Sequence, residues 1–360
     1  MTKRTIYFYG IDNKKGGMEN YALNLIKNVL KNSSFFSFHI ISEYDDFAYK
    51  QEFCNLGCTY SIVPNKRKKP IKYYYELKKI LKKAHADDLF QINAMSYRNF
   101  FLFNVAKKIN LKTIIVGHGT NCNSPFKKLI HKLNRFIFRN LGIKVGNNIE
   151  VINFFFGKKC KNYEIITTGI DYEKYLFSSD KRQDFRNKYN LKDDDLVIGQ
   201  IGRLSYEKNQ LFSAEIIKEL HDDSIKLFLI GNKENIKLKK QIHKINKNII
   251  FTGEITEICS VYNGLDLFIF PSLHEAAGFA LYEAVANGLT CLVSNNVPLE
   301  NVKSEKVYIK DLDKEKWIKY ITNFKQNYKF DIKERNILST IPSLNEEVSK
   351  YLELYIKLTK

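Results

Sequence analysis

PSLHEAAGFALYEAVANG, residues 271–288, decides how the rest of the chain is read. It follows the apolar run Leu265–Phe270, which has the length of a buried strand and stops at Pro271. Phe279–Asn287 is rich in helix formers, and Gly288 suits the left-handed residue that ends a helix. The order is strand, loop, helix start. A helix start presents unpaired N–H groups and the positive end of the helix dipole, so an anion such as a phosphate is favoured there. Glu275 falls in the loop and Glu283 on the second turn, eight positions apart, with Gly278 between them. Two carboxylates so placed can serve one ligand, and the same pair also describes a solvated helix face.

Outward from this unit, strand and helix patterns alternate along the chain. In the first half the strand-like runs are Thr5–Ile11, Phe36–Ser42, Thr59–Val63, Leu89–Asn93, Lys112–Gly117, Ile149–Ile152 and Glu164–Thr168. Between them lie helical patterns at Met18–Lys31, Phe47–Asn55, Ile71–Ala84, Tyr97–Ile109 and Phe126–Arg139. In the second half, strands at Leu196–Gly202, Ile225–Gly231, Asn248–Thr252, Asp266–Phe270 and Thr290–Ser294 alternate with helices at Asn209–Leu220, Glu234–Ile245 and Thr256–Asn263. This is α/β, with parallel, doubly wound character in each half. The periodic pattern breaks at Gly169–Lys181, and Leu344–Leu358 reads as one amphipathic helix. The predicted organisation is 1–168, 169–343 and a C-terminal helix at 344–360.

With 360 residues the chain is long enough for two domains that each bury a core. No stretch approaches 18 uninterrupted apolar residues, which excludes a membrane-spanning helix, and the start MTKRTIYFYGID reads as a first strand with no export signal. Cys54 and Cys58 are the closest cysteine pair and have no second Cys or His pair at ligand spacing, so reduced thiols are expected and zinc is not. Asp193, Asp194 and Asp195 read as a polar loop before a strand. Charge is unevenly placed: residues 1–170 carry 29 Lys and Arg against 11 Asp and Glu, and residues 171–360 carry 29 against 28. A cationic first half points to an anionic surface partner, nucleic acid or a membrane leaflet.

In open parallel sheets ligands bind beyond the carboxyl ends of the strands, so the loops there are searched for chemistry. After the first strand, Gly16 and Gly17 precede a helix, which suits close approach of a ligand or a plain tight turn. His118 follows the strand Lys112–Gly117 and fits either a site or a satisfied structural histidine. Arg203 and Lys208, in RLSYEKN after Leu196–Gly202, set two cations where a diphosphate would need them.

GRLSYEKN followed some 70 residues later by the E-x7-E pair of HEAAGFALYEA resembles the retaining nucleotide-sugar glycosyltransferases of family GT4, in the subgroup of bacterial capsule and exopolysaccharide assembly. KGGMENYALNLI, GHGTN, TTGIDYEKY and FTGEITEICSVYNGLDLFIFPS resemble further motifs of that family, so the likeness spans nearly the whole chain. It implies a GT-B fold, two Rossmann-like domains with parallel sheets facing across a cleft and a C-terminal helix packing back toward the N-terminal domain. It also implies transfer of a sugar from a nucleoside diphosphate, UDP before GDP, to a lipid-linked saccharide, with retention of configuration and no cofactor or essential metal.

Residue by residue, the resemblance gives Arg203 and Lys208 the donor diphosphate and Glu275 the donor sugar. Backbone N–H groups at Gly278, Phe279, Ala280 and Leu281 would take the β-phosphate and sugar hydroxyls, and Glu283 the ribose. His118 would lie beside the sugar, Gly17 would close on the diphosphate, and the base would lie near Gly253–Ile255. Thr167-Thr168 and Asn232-Lys233 depart from the family pattern and put the hinge and base details in question.

The basic half would then meet an anionic membrane, through Lys66, Arg67, Lys68 and Lys69 with the lysines up to Lys83, and through Lys127, Lys128, Lys132, Arg135 and Arg139 around the apolar spacing of Phe126, Leu129, Ile130, Leu133, Phe136 and Ile137. That spacing equally describes a core helix. The expected location is cytoplasmic, peripheral to the inner face of the cell membrane. Two other functions fit the architecture: a nucleotide-sugar epimerase, and a catalytically inactive regulatory or nucleic-acid-binding subunit, which no nucleic-acid signature supports.

Overall fold

Apolar strands buried on both faces can only sit inside a helix-covered sheet, and the chain builds two of them. The computed structural model describes residues 3–122, 124–231, 235–246, 249–253, 255, 257–275, 278–335 and 341–359. It divides into a first unit, Met1–Gly169 with Ser343–Lys360, and a second, Ile170–Pro342. The strands of the first unit are β1 (Arg4–Tyr9), β2 (Phe36–Ser42), β3 (Thr59–Ile62), β4 (Leu89–Ala94), β5 (Lys112–Gly117), β6 (Ile143–Gly146) and β7 (Glu164–Ile165). They are all parallel, in the order β3-β2-β1-β4-β5-β6-β7. Ile6, Phe8, Ile40, Phe90 and Ile92 are fully buried in this sheet.

The second unit holds β8 (Leu196–Ile201), β9 (Ile225–Ile230), β10 (Ile250–Gly253), β11 (Leu267–Phe270), β12 (Thr290–Ser294) and β13 (Val307–Lys310). Their order, β10-β9-β8-β11-β12-β13, is again all parallel. In both sheets the winding reverses between the first strand and the fourth, β1 beside β4 and β8 beside β11. There the following loops diverge and leave a crevice.

The C-terminal helix Leu344–Thr359 belongs to the first unit. Leu344, Glu347, Val348, Tyr351, Leu354 and Tyr355 form its buried face, at the spacing of one helical stripe. The Tyr355 hydroxyl donates to Gln91 Oε1 (2.6 Å), and the Tyr21 and Tyr351 hydroxyls meet at 2.7 Å.

Some sequence assignments are corrected. Ile149–Ile152 is not a strand but the start of a helix, Ile149–Phe155, because the Asn148 side chain accepts from Val151 N and so caps its first turn. The sheet position it was expected to fill belongs to β6. The helix expected over Phe47–Asn55 covers only Lys50–Asn55. The sequence reading assigns nothing to β13 or to helix Lys314–Asn327, both of which flank the second sheet's edge. Asn232, Lys233 and the expected element starts at Glu234, Asn248 and Thr256 lie outside the described residues.

Candidate active site

The crevice of the second unit is built by the loops after β8 and β11. After β8 the chain runs through Gly202 and Arg203 into the short 3-10 turn Tyr206–Lys208, then into helix Gln210–Glu219. Two buried amides pin this loop: Gln200 Nε2 donates to Lys208 O (2.6 Å) and Gln210 Nε2 to Arg203 O (2.8 Å). With its backbone fixed from below, the loop turns Arg203 outward, where it is exposed. Lys208 lies along Gly202, where any Cβ would press on the lysine stem at 3.1 Å, and its ammonium sits over the Phe270 ring.

The loop after β11 meets the first loop twice. Leu273 N donates to Glu207 O (2.8 Å), and Lys208 Nζ pairs with Glu275 Oε1 at 2.5 Å. Glu207 is held below the usual carboxylate range, chiefly by its own backbone N–H, with Ser205 and the Arg203 charge in support. Three of the expected donor-site groups, Arg203, Lys208 and Glu275, thus stand on one rim.

Gly278 initiates helix Phe279–Ala286 with φ of 72°, a left-handed conformation that favours glycine, and no side chain caps that start. One expected donor is corrected: Leu281 N–H is not free, because it bonds Gly278 O at 2.8 Å, as Tyr282 N–H does at 3.2 Å. Among the described residues, the N–H groups that this leaves at the helix start are those of Gly278, Phe279 and Ala280. Glu283 holds two phenols, Tyr175 OH on Oε1 (2.9 Å) and Tyr262 OH on Oε2 (2.6 Å). Burial pushes its pKa up, while the two phenols and Lys174 oppose the rise. Each carboxylate oxygen keeps a further lone pair for a sugar hydroxyl. Tyr175 and Tyr262 are site residues the sequence reading missed; they reach Glu283 from 108 and 21 positions away, and no spacing rule connects them.

Gly253 ends β10 and accepts from Gly231 N (3.0 Å), so it is two strands removed from the Arg203 loop. Ile255 packs on the core beside that edge, and Glu254 lies outside the described residues.

In the first unit, His118 follows β5. Its Nε2 is 3.1 Å from Asn93 Oδ1, and Asn93 Nδ2 donates to Tyr9 O (3.3 Å). A carbonyl oxygen only accepts, so Nε2 carries the ring proton and Nδ1 is left as an acceptor. Burial lowers the His118 pKa to about 4, and the Tyr21 ring packs edge-on at 4.9 Å. The histidine is neutral near pH 7 and its acceptor atom is fixed. Gly17 opens helix Gly17–Asn32 and is exposed. The buried Glu19 sits in that first turn and takes Asp12 N–H at 3.3 Å, a further residue the sequence reading passed over.

Of the expected membrane-contact residues, Arg67, Lys68, Lys69, Lys127, Lys128 and Lys132 are exposed. Lys66 is corrected, since it is paired with Glu43 through both its ammonium and its backbone N–H. Arg135 is also turned partly inward, where Nη1 donates to Phe154 O (3.1 Å).

Residues 181–339 match the family described as Glycosyl transferases group 1. A putative glycosyltransferase EpsF of Bacillus subtilis (strain 168) is 23% identical over 304 residues, 79% of this chain and 77% of the relative. A UDP-Gal:alpha-D-GlcNAc-diphosphoundecaprenol alpha-1,3-galactosyltransferase of Escherichia coli is 31% identical over 140 residues, 36% of each chain. Among solved structures, Anabaena Alr3699/HepE in complex with UDP and glucose superposes with a TM-score of 0.75 at 13% identity, covering 98% of this chain and 96% of the other. The chain is a glycosyltransferase on a GT-B fold, and its second unit belongs to the glycosyl transferases group 1 family.

Proposed function

We propose that this chain transfers a sugar from a UDP-sugar to a lipid-linked saccharide, with retention of anomeric configuration, in the assembly of a bacterial capsule or exopolysaccharide. The observation that carries the reading is the rim on which Arg203, Lys208, Glu275 and an uncapped helix start converge. Two cations and a helix start that no side chain caps suit a diphosphate, and a carboxylate beside them suits sugar hydroxyls. The Anabaena neighbour binds UDP and glucose, and the E. coli relative acts on a saccharide carried by diphosphoundecaprenol.

In this mechanism Lys208 leaves Glu275 for the diphosphate, and Arg203 joins it. The bond from the sugar C1 to the phosphate oxygen breaks, a bond from C1 to the acceptor oxygen forms on the same face, and the departing phosphate takes the acceptor's proton. Charge that develops on the leaving group meets Arg203, Lys208 and the N–H groups of Gly278, Phe279 and Ala280, in place of a divalent ion. Glu275 accepts from donor-sugar hydroxyls, and Glu283 accepts from the ribose.

Among the described residues no helix is long and apolar enough to cross a membrane. The place of action proposed is the cytoplasmic face of the cell membrane, held there by the excess cations of the first half. The test is transfer from a panel of UDP-, GDP- and dTDP-sugars to a polyprenyl-diphosphate saccharide, with the product anomer read by NMR. A single UDP-sugar giving a retained product is expected; an inverted product, or turnover without acceptor into an isomeric donor, would overturn the proposal.

A further inference from the structure

Helix Pro125–Ile137 is docked inside out. An ordinary surface helix turns its apolar stripe to the core. Here the inward side is polar and fully hydrogen-bonded. His131 Nδ1 accepts from Tyr97 N and its Nε2–H donates to Phe154 O, both at 3.0 Å, while Asn134 Nδ2 donates to Tyr97 O at 2.7 Å. The outward side carries Phe126, Leu129, Leu133, Phe136 and Ile137, between 46% and 70% exposed. The core reading of this stripe is therefore wrong, and five large apolar side chains in one row need a cover.

The surroundings say which cover. Lys128, Lys132 and Arg139 fall along one flank of the stripe at helical spacing, and residues 89–149 contain ten Lys and Arg and no Asp or Glu. A second copy of the chain would bring two such cationic flanks together, which repel. An anionic bilayer offers both apolar depth and negative headgroups, and a helix with a cationic margin beside a Phe and Leu face is the form that lies in its interface.

The opposite edge of the same helix reaches the crevice of the first unit. A cavity of about 560 Å³ at the ends of β1 and β4 is lined by Phe126, Lys127 and Ile130, with Arg98, Asn93 and Glu43 facing them. We infer that the outer face of helix Pro125–Ile137 inserts into an anionic leaflet and so sets this cavity at headgroup level, where the diphosphate of a membrane-held acceptor meets Arg98 and Lys127. The identity of the cavity's ligand rests on the acceptor proposed above; the insertion does not.

Flotation of the full chain with phosphatidylglycerol vesicles and with phosphatidylcholine vesicles tests it, alongside Leu133→Ser/Phe136→Ser and Lys128→Glu/Lys132→Glu. The wild type is expected to float with phosphatidylglycerol only. The apolar double variant should lose at least about tenfold in partitioning, from the burial of two large side chains forgone, with unchanged circular dichroism, thermal melt and UDP binding. The charge variant should lose the salt-sensitive part. Flotation that survives the apolar variant would overturn the insertion, as would a wild-type dimer in sedimentation that this variant splits. Arg98→Ala should raise KM for a polyprenyl-diphosphate acceptor severalfold and leave flotation alone; an unmoved KM would overturn the cavity's role. UDP binding is read separately in every variant, so failure of the donor reading shows as lost UDP binding with flotation intact.

Discussion

Lys208 Nζ and Glu275 Oε1 lie 2.5 Å apart although 67 residues separate them in the chain. Their loops follow β8 and β11, neighbours at the point where the winding of the sheet reverses, so the topology makes this pair. Without donor the Lys208 charge is neutralised by Glu275. With donor, a diphosphate competes for the cation and frees the carboxylate for the sugar.

That exchange predicts distinct outcomes for the two partners. Lys208→Ala should weaken UDP binding and lower kcat/KM by about 10²–10³, as loss of one preorganised charge at a leaving group does. Glu275→Gln should leave UDP binding near wild type and lower kcat. Because the two side chains keep only 21% and 10% of their surface exposed, each change should lower unfolding free energy by about 1–3 kcal/mol, checked by urea titration.

Tyr262→Phe removes one of the two hydroxyls that oppose the burial of Glu283. The carboxyl pKa should rise further, and stability near pH 7 should fall by about 1–2 kcal/mol. A second consequence is a larger loss of affinity for UDP than for a diphosphate lacking ribose, read by calorimetry.

Glu347 gives the chain a pH signature. Its Oε2 accepts from Gly169 N (2.9 Å), Oε1 is buried with no hydrogen-bond partner, and burial raises its pKa from 4.5 to about 8. Between those values the folded chain holds a proton that the unfolded chain releases, so this group's stabilisation is full below about pH 4.5 and is lost as pH rises through 8. Glu347→Gln should flatten the fall in stability between pH 5 and 8 by a few kcal/mol, measured by denaturant titration across that range.

His118 should remain neutral down to about pH 4, with the proton on Nε2, in nitrogen-detected NMR of the ring. Asn93→Asp places a charge on the same atom and should raise the histidine pKa by one unit or more. His118→Ala should reduce transfer about tenfold or more and leave UDP affinity unchanged.

What the sequence makes legible follows from the range of each interaction. Arg203, Lys208, Glu275 and Glu283 were legible because each lies within a few residues of a strand end or helix start, where local pattern fixes position. Ile149–Ile152 reads as a strand in the sequence because a short apolar run does not distinguish strand from helix until the Asn148 cap is seen. Tyr175, Tyr262 and Asn93 were not legible at all, since they act through partners that only the tertiary fold brings near. Helix Pro125–Ile137 shows the limit most sharply: its apolar spacing was plain, but the inward bonds of His131 and Asn134 decide which side faces water.

Calorimetric titration of the full chain with UDP, with GDP and dTDP in parallel and Lys208→Ala as the paired variant, tests the donor assignment most directly. The wild type should bind UDP with a Kd on the order of micromolar and more tightly than the other two, and Lys208→Ala should weaken that binding at least about tenfold. A well-folded wild type that binds none of the three, or a Lys208→Ala variant that binds UDP as the wild type does, would contradict it.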